Sequence, residues 1–193
     1  MKPAAFLDRD GVICKYVDHL HRLEDFELCN RAGDAIHALN EAGYYVFVIT
    51  NQPMIGKGLL TLDGLSVIHK KMETDLLIKG ATLDAIQFCP HAPGGTISPW
   101  NTDCDCRKPK TGMIKTLTQT YSVDMKNSFL VGDTWRDIEC ARTLNLFSYG
   151  VRGGAGFPYP KGSPHFSVKA DVFVDSLWEA TQHWLQLNRN RRN

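Results

Sequence analysis

Ala4-Ala5-Phe6-Leu7-Asp8-Arg9-Asp10-Gly11 is the stretch on which the fold turns. Its four apolar residues read as a short buried strand, and the chain breaks into a charged turn directly after Leu7. In a parallel α/β sheet, ligands collect at the edge where the strands end. Asp8 and Asp10 stand two residues apart as the strand runs out, so both carboxylates can face one pocket. Two close carboxylates repel. Unless one takes a proton, they need a cation or strong hydrogen-bond donors between them. Taken alone, a solvated acidic turn after an edge strand would account for the same residues.

Outward from this strand, strand-like and helix-like runs alternate. A loop, Cys14–Cys29, shows no clear period. Ala32–Ala42 is predicted as a helix with Ala35, Ile36 and Leu39 on one face and Gly43 as its stop. Tyr44–Ile49 is nearly all apolar, as a strand buried on both faces would be. Thr61–Lys79 carries Leu65, Ile68, Met72 and Leu76 at helical spacing and ends at Gly80. Ala85–Cys89, Phe129–Val131, Phe147–Val151 and Asp171–Val174 are predicted strands. Lys110–Tyr121, Trp135–Leu144 and Leu177–Leu187 are predicted helices, and Arg152–Pro164 is a Gly/Pro-rich loop. This alternation predicts an α/β fold, Rossmann-like, with an open, mostly parallel sheet and helices on both faces. No linker divides the chain, so residues 1–187 are expected as one domain and 188–193 as a polar tail.

The chain has 193 residues, enough for one ordinary domain with a large core. Its 22 Lys and Arg against 21 Asp and Glu leave a net charge of +1, which gives no field pointing to nucleic acid or a membrane surface. Basic residues do gather in the tail, which reads as frayed rather than functional. No apolar run is long enough to span a bilayer. Met1-Lys2-Pro3 leads into the first strand within a few residues, leaving no room for a signal peptide. Of the 6 cysteines, three crowd into one short segment with a histidine, which favours a metal site in a reducing compartment; the cytoplasm is expected.

Further along the chain, other polar groups arrive at strand ends. Tyr44–Ile49 runs into Thr50-Asn51-Gln52, whose hydroxyl and amides can hydrogen-bond a phosphate without adding charge; a simple turn would use the same residues. Arg107-Lys108-Pro109 precedes a predicted helix, and both cations suit phosphate oxygens. Gly132-Asp133 follows the strand Phe129–Val131, with Asp137 four residues on, an oxygen-only set suited to magnesium. Asp133 is also a candidate N-cap for the helix that follows. A carboxylate nucleophile, a neighbouring acid/base and a divalent metal would suit phosphoryl transfer.

A second constellation is Cys89-Pro90-His91 with Cys104-Asp105-Cys106. Three sulfurs and one imidazole make a complete tetrahedral zinc set. The joining loop, Ala92–Asp103, holds Pro93, Gly94, Gly95 and Pro99, and a structural metal would offset the entropy of ordering it. Four protein ligands leave no open position for water, so the zinc is expected to be structural. His21, His69 and His183 lack ligand-like spacing and are expected in surface or packing roles. Cys14, Cys29 and Cys140 read as isolated thiols.

In this order, Asp-x-Asp, Thr-Asn, Arg-Lys and Gly-Asp resemble the four motifs of the haloacid dehalogenase (HAD) superfamily of phosphatases. The resemblance implies that Asp8 is the nucleophile that forms an aspartyl-phosphate. Asp10 would protonate the leaving oxygen and then activate water. Thr50 and Asn51, with Gln52, would hold the phosphoryl group, and Lys108 would neutralise charge there. Magnesium would lie on the Asp8 carboxylate, the Asp10 backbone carbonyl and Asp133, with Asp137 behind them. The zinc loop of Cys89, His91, Cys104 and Cys106, set just before Arg107-Lys108-Pro109, is similar to that of the small-capped branch holding the heptose bisphosphate phosphatases and histidinol phosphatases. That branch implies a small phosphorylated sugar as substrate, Mg2+ and Zn2+ as cofactors, a minimal cap, a mainly monomeric enzyme, and Arg107 reaching the phosphate that is retained.

Three positions depart from the branch's usual pattern. Asp18-His19-Leu20 stands for Gly-Tyr-Val, Pro53-Met54 for Ser-Gly, and Thr134 for a basic residue. All three are expected around the substrate. Histidinol phosphate is the alternative substrate, with Asp18, Glu24 and Asp25 as candidates to meet its amine. A phosphosugar-binding module without turnover is the non-enzyme alternative, opposed by intact Asp8, Asp10, Lys108 and Asp133. A DNA 3′-phosphatase is opposed by the near-neutral charge and the lack of a basic, aromatic-studded groove.

Overall fold

The computed structural model describes residues 1–159 and 161–190. Six strands form one sheet: β1 (Ala4–Leu7), β2 (Tyr45–Asn51), β3 (Ala85–Cys89), β4 (Phe129–Gly132), β5 (Phe147–Val151) and β6 (Val172–Val174). They lie in the order β3-β2-β1-β4-β5-β6, every pairing parallel. The helices are α1 (Ala32–Glu41), α2 (Leu62–Ile78), α3 (Gly112–Thr120), α4 (Trp135–Thr143) and α5 (Leu177–Asn190).

This order follows from connection handedness. The chain steps outward from β1 to β2 to β3, then returns past β1 to β4, β5 and β6. Right-handed crossovers place helices on opposite faces for the two directions. Accordingly, Ile36 and Leu39 of α1 and Ile68, Met72 and Leu76 of α2 share one core with Ala5 and Leu7. Met113, Ile114 and Leu117 of α3 and Cys140 and Ala141 of α4 share the other with Ala4 and Phe6. Helix α5 joins the first face, where Trp184 packs on Phe129 with ring centroids 4.7 Å apart and donates its indole N–H to the Tyr44 hydroxyl at 3.0 Å.

The reversal of direction opens a crevice between the carboxyl ends of β1 and β4. Alternation along β1 continues into it. Arg9 follows Ala5 and Leu7 toward the α2 side, and Asp8 follows Phe6 toward the α3/α4 side.

The elements match the expected α/β pattern with small boundary differences. Strand β2 takes in Thr50 and Asn51, and Lys110 and Thr111 precede α3 rather than open it. The helix expected to stop at Leu187 continues to Asn190, so half of the expected polar tail is helical; residues 191–193 lie outside the described ones, as does Pro160 of the Gly/Pro-rich loop. Among the described residues, no helix is long and apolar enough to cross a membrane.

Candidate active site

The crevice holds a cleft of about 370 Å³ lined by Asp8, Arg9, Asp10, Thr50, Asn51, Gln52, Arg107, Lys108 and Asp133, among others. The structure thus gathers residues separated by more than a hundred positions. At its floor the Lys108 ammonium lies 3.0 Å from Asp8 Oδ1 and 2.6 Å from Asp137 Oδ1, and donates to the Ile49 carbonyl at 2.7 Å. Lys108 is 3 % exposed. Burial alone pulls the lysine toward its neutral form, but Asp137 and Asp8 reverse that and hold it charged well above the ordinary lysine range. Its backbone is fixed by Asn51, whose side-chain Nδ2 donates to the Lys108 carbonyl at 3.1 Å while Oδ1 accepts from the Lys108 N–H at 2.9 Å. Asn51 therefore grips the lysine loop in this state.

Asp8 Oδ1 also accepts the Arg9 backbone N–H at 2.7 Å. Burial raises the Asp8 carboxyl well above the usual carboxylate range; Lys108 lowers it, while Asp137, Asp133 and Asp10 add repulsion. Asp133 is pushed up to about 7, first by burial and then by Asp137, against a hydrogen bond from the Ala155 N–H, 2.6 Å from Oδ2. The glycines beside these acids are required by close approach. A Cβ at Gly11, where φ is +77°, would strike the Asp133 carboxylate, and one at Gly132 would strike Asp137.

Asp133 is not the N-cap of α4. That position belongs to Thr134, whose N–H and hydroxyl both donate to Asp137 Oδ2, at 3.1 and 2.7 Å. Asp133 is therefore left to the cleft, and Asp137 ties the helix start to Lys108.

Asp10 is held from the other side. Arg9, fully buried, donates Nε to Asp10 Oδ1 at 3.0 Å and Nη2 to Oδ1 and Oδ2 at 2.9 Å each. Gln52 Nε2 donates to Asp10 Oδ2 at 2.8 Å and to Thr50 Oγ1 at 2.9 Å. Arg9 was not among the expected site residues. A charged residue directly after a buried strand, one position out of phase with Asp8, is the signal that points to it. Ala155, whose part is played by its backbone, carries no such signal.

Donor atoms of Asp8, Asp133 and Asp137 all lie within 4.8 Å of one another. Three carboxylates around one buried ammonium hold more negative charge than it balances, and an all-oxygen donor set of this kind fits a hard divalent cation such as magnesium. The Cys89, His91, Cys104 and Cys106 donors form a second group of the same compactness. Cys104 Sγ is 3.5 Å from Cys89 Sγ and 3.3 Å from Cys106 Sγ, and His91 Nδ1 is 3.3 Å from Cys106 Sγ and 3.7 Å from Cys89 Sγ. A tetrahedral zinc with metal–sulfur bonds of ~2.3 Å places its ligands ~3.8 Å apart, so this donor set fits zinc. Burial, then crowding by neighbouring thiols, raises Cys106 above the ordinary thiol range. Two residues after Cys104, Cys106 leads directly into Arg107 and Lys108, and Arg107 Nη1 donates to the His91 carbonyl at 3.1 Å.

The three departures from the branch pattern all line the cleft: Asp18, His19 and Leu20; Pro53 and Met54; and Thr134. Glu24 and Asp25 lie instead in a short 3-10 turn, Leu23–Asp25. Of the histidines expected in surface or packing roles, His69 is buried with Nε2 3.3 Å from Arg9 Nη1. His183 has Nδ1 2.7 Å from the Tyr149 hydroxyl.

Comparison with known proteins meets this geometry. D-glycero-beta-D-manno-heptose-1,7-bisphosphate 7-phosphatase of Rhodopseudomonas palustris is 41% identical over 79% of this chain and 84% of its own length. The Escherichia coli K12 protein of that name is 36% identical over 93% and 92%. The chain belongs to the heptose-1,7-bisphosphate phosphatase family of HAD-like hydrolases. A HAD-hydrolase-like family model matches residues 105–180. The crystal structure of D,D-heptose 1,7-bisphosphate phosphatase from B. bronchiseptica, complexed with magnesium and phosphate, superposes with a TM-score of 0.80 at 29% identity, covering 97% of this chain and 99% of that one. A relative from Photorhabdus laumondii, 41% identical over 74% of this chain and 78% of its own length, carries the alpha-anomer name, so overall identity does not sort the two anomers in this family.

The raised carboxyls of Asp8 and Asp133 set a pH dependence. Without a cation, the folded protein keeps protons on them that the unfolded chain has released. The cluster therefore costs stability as pH rises from the ordinary carboxylate range through about 7, the range set by Asp133. A cation that replaces those protons stabilises most where they would otherwise be lost. Adding about 10 mM Mg2+ is expected to raise the Tm clearly more at pH 8 than at pH 5. An equal or larger rise at pH 5, in thermal melts of the zinc-replete protein, would contradict the assignment of magnesium to this cluster.

Proposed function

We propose that this chain is a magnesium-dependent phosphatase that removes the C7 phosphate of D-glycero-D-manno-heptose 1,7-bisphosphate. The observation that carries the reading is the pairing of Asp8 on Lys108 with Asp10 on Arg9 and Gln52, within one crevice, in a chain with relatives of that name.

The chemistry divides between the two carboxylates. The Asp8 contacts to Arg9 N and Lys108 fall on Oδ1. An Asp8 carboxylate oxygen attacks the phosphorus, the bond from phosphorus to the sugar C7 oxygen breaks, and Asp10 delivers its proton to that oxygen. Asp10, now a carboxylate, takes a proton from water as the water oxygen attacks the same phosphorus. Inorganic phosphate leaves and Asp8 is restored. Lys108 and Thr50 meet the phosphoryl oxygens, and Asn51 keeps Lys108 in register. Magnesium, which the Asp8 and Asp133 carboxylates and the Asp10 carbonyl would hold, would supply positive charge against the phosphoryl group. Asp137 supports the set through Lys108 and Thr134. Arg107 lines the cleft wall, and in this reading it meets the retained phosphate.

Zinc on Cys89, His91, Cys104 and Cys106 would hold the loop from which Arg107 and Lys108 emerge. Cys106→Ser is expected to lower both bound zinc, read by elemental analysis, and the Tm, because metal affinity is folding energy for such a loop. Full-length protein that binds no zinc and melts at the same temperature with and without a chelator would contradict it.

Asp18 bears on the choice between heptose bisphosphate and histidinol phosphate. Its Oδ1 lies 2.8 Å from His19 Nδ1, and both residues line the cleft where a substrate amine would have to meet them. Phosphate release with magnesium from the two substrates, measured side by side, separates them. A kcat/KM preference for the bisphosphate is expected, with Asp8→Asn lowering turnover by about 10³-fold or more. Preference for histidinol phosphate would contradict the sugar assignment, and activity retained in Asp8→Asn would contradict the mechanism.

A further inference from the structure

Arg9 is an unusual neighbour for a reacting carboxyl. It is fully buried, and three of its four recorded side-chain contacts go to Asp10. The fourth leaves the cleft. Nη1 lies 3.3 Å from His69 Nε2, which sits on α2, sixty positions away in sequence. A guanidinium has donors and no acceptor, so this contact has one polarity: His69 Nε2 accepts, and its ring carries a hydrogen on Nδ1. A doubly protonated ring would set two cations against each other in a buried place. Burial, then Arg9, holds His69 down to about 4, so the accepting form is present throughout the neutral range. The ring is kept in place edge-on to Phe88, with centroids 5.8 Å apart.

We propose that His69 is a positioning residue for the reaction: by accepting from Arg9 Nη1 it locks the guanidinium in the plane that orients the Asp10 carboxyl toward the leaving oxygen. The proposal rests on the assignment of Asp10 as acid and base. It also explains the direction of each element. Alternation along β1 sends Arg9 toward the α2 face, where a buried cation with an unused donor requires an acceptor, and α2 supplies one on its inward side at His69. Asp10 has two further partners, Gln52 on Oδ2 and the Cys14 thiol 3.4 Å from Oδ1. Neither replaces the planar restraint that a guanidinium bonded to both carboxylate oxygens imposes.

The substitutions are graded by geometry. Glutamine places an amide oxygen near the histidine Nε2 position and keeps the acceptor; asparagine is polar but too short; leucine removes the acceptor altogether. Because kcat/KM reports the step that expels the leaving group, dependence on Asp10 protonation appears as dependence on the leaving group. On heptose 1,7-bisphosphate, His69→Leu and His69→Asn are expected to lose about 10- to 100-fold in kcat/KM, carried by kcat with KM little changed. On 4-nitrophenyl phosphate, whose leaving group departs without a proton, the same variants should lose less than about 3-fold, and His69→Gln should stay within about 3-fold on both substrates. If His69→Leu fails to fold in thermal melts, the Gln and Asn pair decides. Equal losses on the two substrates, or Asn performing as well as Gln, would overturn the proposal. Asp10→Asn, run alongside, reports on the underlying assignment: its loss of activity on the sugar phosphate upholds that reading, and its retention removes the basis for both.

Discussion

A single buried ammonium organises this molecule's working edge. Lys108 sits between Asp8, directly after β1, and Asp137, in the first turn of α4, with the Ile49 carbonyl of β2 as its third contact. A lysine wholly removed from water keeps its charge only if paired, and carboxylates in the same place ionise only with a cation to meet them. Each side of this arrangement supplies what the other lacks. Losing the ammonium would leave buried carboxylates uncompensated, a penalty of about 3–5 kcal/mol for pairs of this kind. The remaining excess of negative charge, concentrated at Asp133 and Asp8, makes the same cluster receptive to a divalent cation.

Lys108 reaches this position through two devices. Asn51 clamps its peptide with a donor and an acceptor from one side chain. The Cys89, His91, Cys104 and Cys106 group ends two residues before it, so a metal there would order the loop that delivers both Arg107 and Lys108. On the opposite wall, Arg9 and Gln52 hold Asp10. Asp8 and Asp10 are thus set by separate supports, one anchored on the α3/α4 face of the sheet and the other on the α2 face. Separate anchoring fixes the orientation of each of two carboxylates that stand only two residues apart.

Much of this was legible in the residues themselves. Apolar runs ending in Asp8, Thr50 and Gly132-Asp133 located the strand ends, and a parallel sheet brings strand ends together whatever their distance along the chain. The Cys/His spacing likewise placed four donors in one cluster. What escaped the sequence was which side chain meets which. Periodicity assigns Arg9 a face but says nothing of Asp10 or His69 as its partners. Thr50-Asn51-Gln52 marked a polar strand end, yet nothing in it showed that Asn51 grips Lys108 or that Gln52 reaches back to Asp10. The N-cap of α4 fell to Thr134 because Asp137 answers it three residues later, which frees Asp133. The contact from the Ala155 backbone depends on how the loop after β5 folds over the cleft, and backbone donors leave no mark on residue type.

The most direct test of the claim that Asp8 is the group that accepts the phosphoryl is chemical trapping. Wild-type protein would be mixed with magnesium and heptose 1,7-bisphosphate, quenched within the first turnover and reduced with borohydride, which converts an aspartyl-phosphate to homoserine. Peptide mass mapping should find homoserine at position 8, and none in Asp8→Asn. Homoserine at position 10, or turnover with no trapped residue under conditions that trap a control acyl-phosphate, would contradict the assignment.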